Sequence, residues 1–132
     1  MTLLVTPKRV CGVFARILGH TAGTPKRRWL NEKNVTMLAV LFCQPRLMIR
    51  CWYDTGVYDE LEPFSDTAGF FGRIERVLDA MGDMIVSEDR IIFLSSYHAQ
   101  LRHCRPIDLL TSEDEFETVM KLLYSAESGS FA

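Results

Sequence analysis

The stretch from Leu101 to Leu123 (LRHCRPIDLLTSEDEFETVMKLL) constrains this chain more than any other. Pro106 has a fixed backbone torsion and no amide donor, so it suits a turn or a first helical position. A short helix is expected over Ile107 to Leu110, with Asp108 exposed. Ser112 and Glu115 have capping-box spacing, each able to satisfy an orphan amide at the helix start. Phe116, Val119, Met120, Leu122 and Leu123 then recur at helical spacing, which predicts a helix from 113 to about 125. Glu117 precedes Lys121 by four positions, the favourable order for a surface pair.

Charge divides the rest of the chain. Residues 1–50 hold nine Lys or Arg and one acid, Glu32, for a net +8. Residues 51–132 hold six basic and sixteen acidic residues, for a net −10. Such a split either fits two different partners or lets the halves attract one another, within the fold or between copies. With 132 residues, 48% of them hydrophobic, one packed domain or one with a small appendage is expected, and disorder is disfavoured.

In the basic half, Thr6-Pro7 reads as an N-cap and first helical residue. Val10, Val13, Phe14, Ile17 and Leu18 follow on one face, and Gly19 is a plausible stop. Thr24-Pro25 repeats the start signal and predicts a second helix over about 25–33. Its opening triplet is Lys26, Arg27 and Arg28, with Trp29 and Leu30 as anchors. Two short helices joined by a tight loop fit a helix-turn-helix, in which Lys and Arg neutralise phosphates. The candidate DNA contacts are Lys8, Arg9, Lys26, Arg27, Arg28 and Lys33. An ordinary helical hairpin with a solvated basic face reads equally well.

Val35 to Phe42 and Leu47 to Tyr53 are continuous apolar runs separated by Cys43 to Arg46. They are expected to form a β-hairpin that belongs to the core and whose apolar edge can pair with a second copy of the chain. Asp54-Thr55-Gly56 reads as a turn. Phe70, Phe71, Ile74, Val77, Leu78 and Met81 then predict a helix from about 68 to 81, ended by Gly82. Ser87 caps a further element that runs to about 98; its apolar cluster suits a helix or a strand. The fold class is therefore α+β, mostly helical with one hairpin. The expected parts are 1–53, basic with the hairpin, and 54–132, acidic and helical.

Motifs for catalysis are sparse. There is no phosphate loop, dinucleotide fingerprint or nucleophile elbow. His98, His103 and Cys104 lie close in sequence but lack a fourth ligand and regular zinc spacing. A nucleophilic Cys104 beside His103 is conceivable, although adjacent side chains rarely point together. Cys11, Cys43 and Cys51 fall on apolar elements and read as core residues. The acids at 113–117 read as a helix start before they read as a metal site. No metal or cofactor is expected. Lys8 interrupts the apolar start, and no apolar run approaches a membrane span, so a reducing cytosol is the expected compartment.

One resemblance adds to this reading. Trp52-Tyr53-Asp54-Thr55-Gly56, the helix around Ile74 to Met81, Phe93-Leu94, Leu101 with Pro106, Ile107-Asp108-Leu109-Leu110 and Val119 to Leu123 follow a family-like order. From Trp52 onward the chain is similar to the toxin-binding domain of the Xre/MbcA/ParS antitoxins. Where that family carries glycine this chain has His103; if the glycine serves a positive φ, histidine adopts it less easily. The resemblance implies a bacterial antitoxin rather than an enzyme. It would bind its own operator DNA through the N-terminal part and cover the active site of a partner toxin, often a RES-type enzyme that consumes NAD. Arg102, His103, Arg105 and Asp108 are then candidate partner contacts, with Ser128, Gly129, Ser130, Phe131 and Ala132 as a tail that plugs the toxin pocket. A homo-oligomer fits this picture. A stand-alone inhibitor or immunity protein without DNA binding is the other reading.

Overall fold

The computed structural model describes residues 2–59, 66–82 and 85–127. Among these, eight helices surround a two-stranded antiparallel sheet, a mostly helical α+β arrangement. Strand β1 (Leu3–Val5) pairs with β2 (Val57–Tyr58), Leu3 opposite Tyr58 and Val5 opposite Val57. The sheet fastens the chain's start to its middle. Gly56 makes this possible: its φ is 88°, and a Cβ there would lie 2.6 Å from the Val5 carbonyl oxygen. Only glycine meets both demands.

Helix α1 (Pro7–Ile17) begins where expected, with the Thr6 side chain accepting from the Arg9 amide and Pro7 in the first turn. Val10, Val13, Phe14 and Ile17 are buried. The second helix is shorter than its sequence suggests. Helix α2 (Lys26–Trp29) is one turn long and ends at Leu30, whose ψ of 113° is extended. Asn31 then caps a new helix, accepting from the Asn34 amide at 2.9 Å.

The hairpin expected at 35–53 is the main correction. Both apolar runs are helical: α3 (Glu32–Phe42) and α4 (Arg46–Thr55), bent by 101° across Cys43 to Pro45. Val35, Leu38, Ala39 and Phe42 share a helical face, and so do Ile49, Trp52 and Tyr53. Apolar residues between those positions mask the period: Leu41 is buried beside that face, and Val40 is apolar although 63% exposed. Asp54 and Thr55 complete α4 rather than forming a turn. The sheet lies instead between β1 and β2.

Helix α5 (Thr67–Met81) matches its expected span and stops at Gly82, φ 42°. A 3-10 turn at Ser87–Asp89 leads into α6 (Arg90–Ser95), which settles that element as helical but ends it before residue 98. A second 3-10 turn (Ala99–Leu101) precedes α7 (Pro106–Leu109) and α8 (Glu113–Glu127). No single helix among the described residues is long and apolar enough to cross a membrane.

One apolar cluster runs through both halves of the chain, from Val5 to Leu123. Phe42 is its aromatic hub. Its ring lies 5.5 Å from Phe14, 5.7 Å from Trp52, 6.0 Å from Phe70 and 6.2 Å from Phe71, centroid to centroid. Such ring pairs add about 0.5–1.5 kcal/mol each beyond buried area.

Part of the charge split is compensated inside the fold. Arg9 pairs with Glu75, Arg16 with Asp79 at 2.6 Å, and Lys26 with Asp54 at 3.0 Å. Each joins a base of the first half to an acid of the second. At these exposures each pair contributes about 0–1 kcal/mol, so the first two orient α1 against α5, and the third α2 against α4, more than they hold them.

Candidate partner-binding surface

The turn between α6 and α7 is the most closely specified surface feature. His98 donates its amide to the Cys104 carbonyl at 3.2 Å, and the His98 carbonyl accepts from the amides of Leu101 at 3.0 Å and His103 at 2.9 Å. The Cys104 amide donates to Leu101 at 3.1 Å. Leu101, Pro106, Ile107 and Leu110 are buried and anchor the turn in the core. Arg102 and His103 are exposed at its crest. Both adopt left-handed backbone, with φ of 57° and 60°. Two such residues in succession, neither glycine, hold a conformation that side chains disfavour.

Arg105 lies beneath the crest. It is buried, and its guanidinium donates to both Asp108 oxygens at 2.8 and 2.9 Å. It also donates to the carbonyls of Val40 at 3.3 Å and Leu41 at 3.1 Å, and to the Cys43 thiol at 3.1 Å. Those carbonyls belong to the last turn of α3; Val40 also accepts from the Cys43 amide at 3.3 Å, and the Arg105 guanidinium completes the cap at Leu41. The hydrogen bond to Asp108, opposed by burial, holds this guanidinium protonated well above the ordinary arginine range. Of the four candidate partner contacts on this turn, the structure thus places Arg102, His103 and Asp108 at the surface and Arg105 inside. Ser128, Gly129, Ser130, Phe131 and Ala132 lie outside the described residues.

A groove runs beside the crest, lined by Gln100, Leu101, Arg102, Cys104, Leu109 and Glu115. The start of α8 supplies its acidic edge. Asp114, Glu115 and Glu117 are exposed and have no basic partner among the described residues, whereas Glu113 pairs with Arg73 and Arg76. Arg73 lies off the apolar stripe of α5, a position that suits a solvated surface, and the structure corrects this. It is buried, bonds to the Leu110 carbonyl and to Asp66, and so ties α5 to the end of α7.

The histidines and cysteines near the turn are dispersed. His98 Nε2 lies 3.2 Å from the Phe93 carbonyl, with its ring against Phe93. Among the described residues no three His, Cys, Asp or Glu form a group able to hold a metal. All four cysteines are free. Cys11 and Cys51 are half-buried, but Cys43 is exposed, a correction to its expected place in the core. The cause is its left-handed position (φ 54°) at the end of α3, which turns it out of the helix.

The candidate DNA contacts divide into two groups. Arg9 is held by Glu75, and Lys26 by Asp54 and the face of Tyr53, 5.0 Å away. Lys8, Arg27, Arg28 and Lys33 are exposed with no acidic partner among the described residues. Two adjoining clefts along α1 gather further cations. One is lined by Lys8, Arg9, Arg16 and Gly12, the other by Arg16, His20 and Arg90, and both include Ala22.

Comparison with protein-family models, with curated proteins and with solved structures finds no match to this chain.

Proposed function

We propose that this chain is an antitoxin-like regulator, acting in the cytosol without catalysis of its own. In this reading it neutralises a partner toxin, a RES-type NAD-consuming enzyme being the leading class, binds operator DNA, and assembles as a homo-oligomer. The observation that carries the reading is the φ of 60° at His103. The resembled toxin-binding family has glycine at this position, and a positive φ is what glycine there would serve. Support also comes from the buried anchors Leu101, Pro106, Ile107 and Leu110, which are the positions that carry the resemblance. The unpaired acids of α8 complement a basic pocket.

The stand-alone inhibitor remains the second reading, favoured by one observation. Helix α2 has a single turn, and Lys26 is engaged by Asp54. That leaves little of a recognition helix. Co-expression tests the main reading. A neighbouring small enzyme that is toxic alone and rescued by this chain supports it. A neighbouring enzyme that stays toxic in its presence defeats it.

A further inference from the structure

The geometry points to a phosphate-backbone groove: the paired clefts along α1, from Lys8 past Arg16 to Arg90, take the sugar-phosphate backbone of a nucleic acid without reading its bases. The inference rests on the DNA-binding half of the proposed function, and it replaces the recognition helix with a different surface.

Three observations carry it. Helix α2 is too short to present a row of side chains to a major groove, which a reading helix needs. Trp29 is buried and Lys26 is bound to Asp54, so only Arg27 and Arg28 face outward from its four residues. The cations that share a concave surface are instead Lys8 and Arg90, which have no carboxylate partner among the described residues, and Arg9 and Arg16, paired with Glu75 and Asp79 at its edge, with His20 beside them. The two clefts meet at Arg16 and Ala22 and so form one track.

The walls suit a backbone. Gly12 and Gly23 line the first cleft, and a Cβ added at Gly23 would meet nothing within 4 Å. Bare backbone here lets a bulky phosphodiester approach the cations. Two carboxylates also face the track, Glu75 and Asp79, but each is already bonded to an arginine, Arg9 and Arg16. Lys8 and Arg90 have no carboxylate partner among the described residues. Arg90 donates to the carbonyls of Arg16 and Gly82, and its buried Nε has no partner. The surplus charge is positive, and the ligand that complements it is a chain of phosphates.

Binding of this kind follows charge and ignores sequence. The test is fluorescence anisotropy with a short labelled DNA duplex of arbitrary sequence and a second of scrambled sequence, each over a salt titration. The expected result is equal affinity for both duplexes, with a log–log salt slope of about −0.9 for each phosphate engaged. Lys8→Ala should weaken binding severalfold and flatten the slope by about one unit, with unchanged thermal melting; Arg16→Ala should act in the same direction, with melting lowered by no more than the loss of its exposed pair with Asp79. Arg16→Lys, which keeps the charge, should keep the slope. Lys121→Ala, on the acidic side, should change nothing.

Several results would overturn the inference: no binding at low salt, or a tenfold preference between the two duplexes. So would binding that survives Lys8→Ala and Arg16→Ala but is lost with Arg27→Ala and Arg28→Ala. Tighter binding to phosphatidylserine vesicles than to the duplex would assign the track to a membrane surface instead. Rescue from a toxin is read in a separate assay with the turn at 98–104 intact, so failure there counts against the partner reading and leaves the salt slope to decide the groove.

Discussion

Arg105 Nη2 donates to the Leu41 carbonyl oxygen at 3.1 Å, across 64 residues of sequence. The bond joins the turn that bears Arg102 and His103 to the open end of α3. Because Arg105 is buried, its removal strands the Leu41 carbonyl in the interior and leaves Asp108 without its cation. Arg105→Ala should therefore destabilise the fold by about 3 kcal/mol, the usual scale for breaking a buried charge-assisted network. Arg105→Lys should recover only part of this, since an ammonium cannot span Asp108 and two carbonyls as a planar fork does. Urea denaturation midpoints check both; a loss under about 0.5 kcal/mol for Arg105→Ala would contradict the capping role.

His103 supplies an opposite case. Its φ of 60° is left-handed, where a Cβ costs about 1 kcal/mol relative to glycine. His103→Gly should raise stability, less a few tenths for the freer unfolded chain. His103→Val should lower it by more than 1 kcal/mol, because branching at Cβ adds to the strain. Chemical denaturation of the two variants beside the wild type decides the sign.

Phe42 tests the element that sequence reading misplaced. Its ring is buried among Phe14, Trp52, Phe70 and Phe71, so Phe42→Ala should cost about 3–5 kcal/mol. Leu47 is 71% exposed, and Leu47→Ser should stay within about 0.5 kcal/mol. In a buried two-stranded hairpin the pattern would follow alternate residues instead. The difference shows what the sequence carried. Capped, one-sided helices were legible: Thr6-Pro7 set α1, and the stripe from Phe70 to Met81 set α5. Helix α3 was not, because Leu41 is buried beside the main stripe and Val40 puts an apolar side chain on the solvent face, so the run reads as continuous. Asn31 was the missed signal; it caps α3 but lay inside the helix expected over 25–33. The site was half legible for a similar reason. Pro106 and Leu101 fixed the turn, but nothing in a sequence tells that Arg105 reaches back to α3 or that Glu75 faces Arg9.

Alkaline pH should lower the stability of the protein. Burial pushes the Cys11 thiol up from its ordinary value near 9.0, and burial likewise raises Tyr53. The hydrogen bond to Asp54 raises Lys26. In all three the folded chain keeps a proton that the unfolded chain releases, so stability is full below the ordinary values and falls as pH rises through them. Cys11 titrates first. Stability measured by urea from pH 8 upward should begin to drop near pH 9, and Cys11→Ala should flatten that first portion. An equal slope in wild type and Cys11→Ala would contradict the assignment.

Arg102 separates binding from folding on the candidate partner surface. It is exposed, borders the groove beside α8, and makes its backbone contacts through the main chain. Arg102→Glu should leave the urea midpoint within about 0.5 kcal/mol of wild type, as expected for an exposed side chain with no partner among the described residues. In a co-expression rescue assay the same variant should lose protection, because a carboxylate cannot donate the hydrogen bonds that a guanidinium at the crest offers a partner. Asp114→Lys, on the opposite rim of the groove, should act in the same direction if the partner presents a basic face. Arg105→Lys should instead lose protection only in proportion to its lost stability. Full protection by Arg102→Glu at wild-type expression would place the partner contact elsewhere on the molecule.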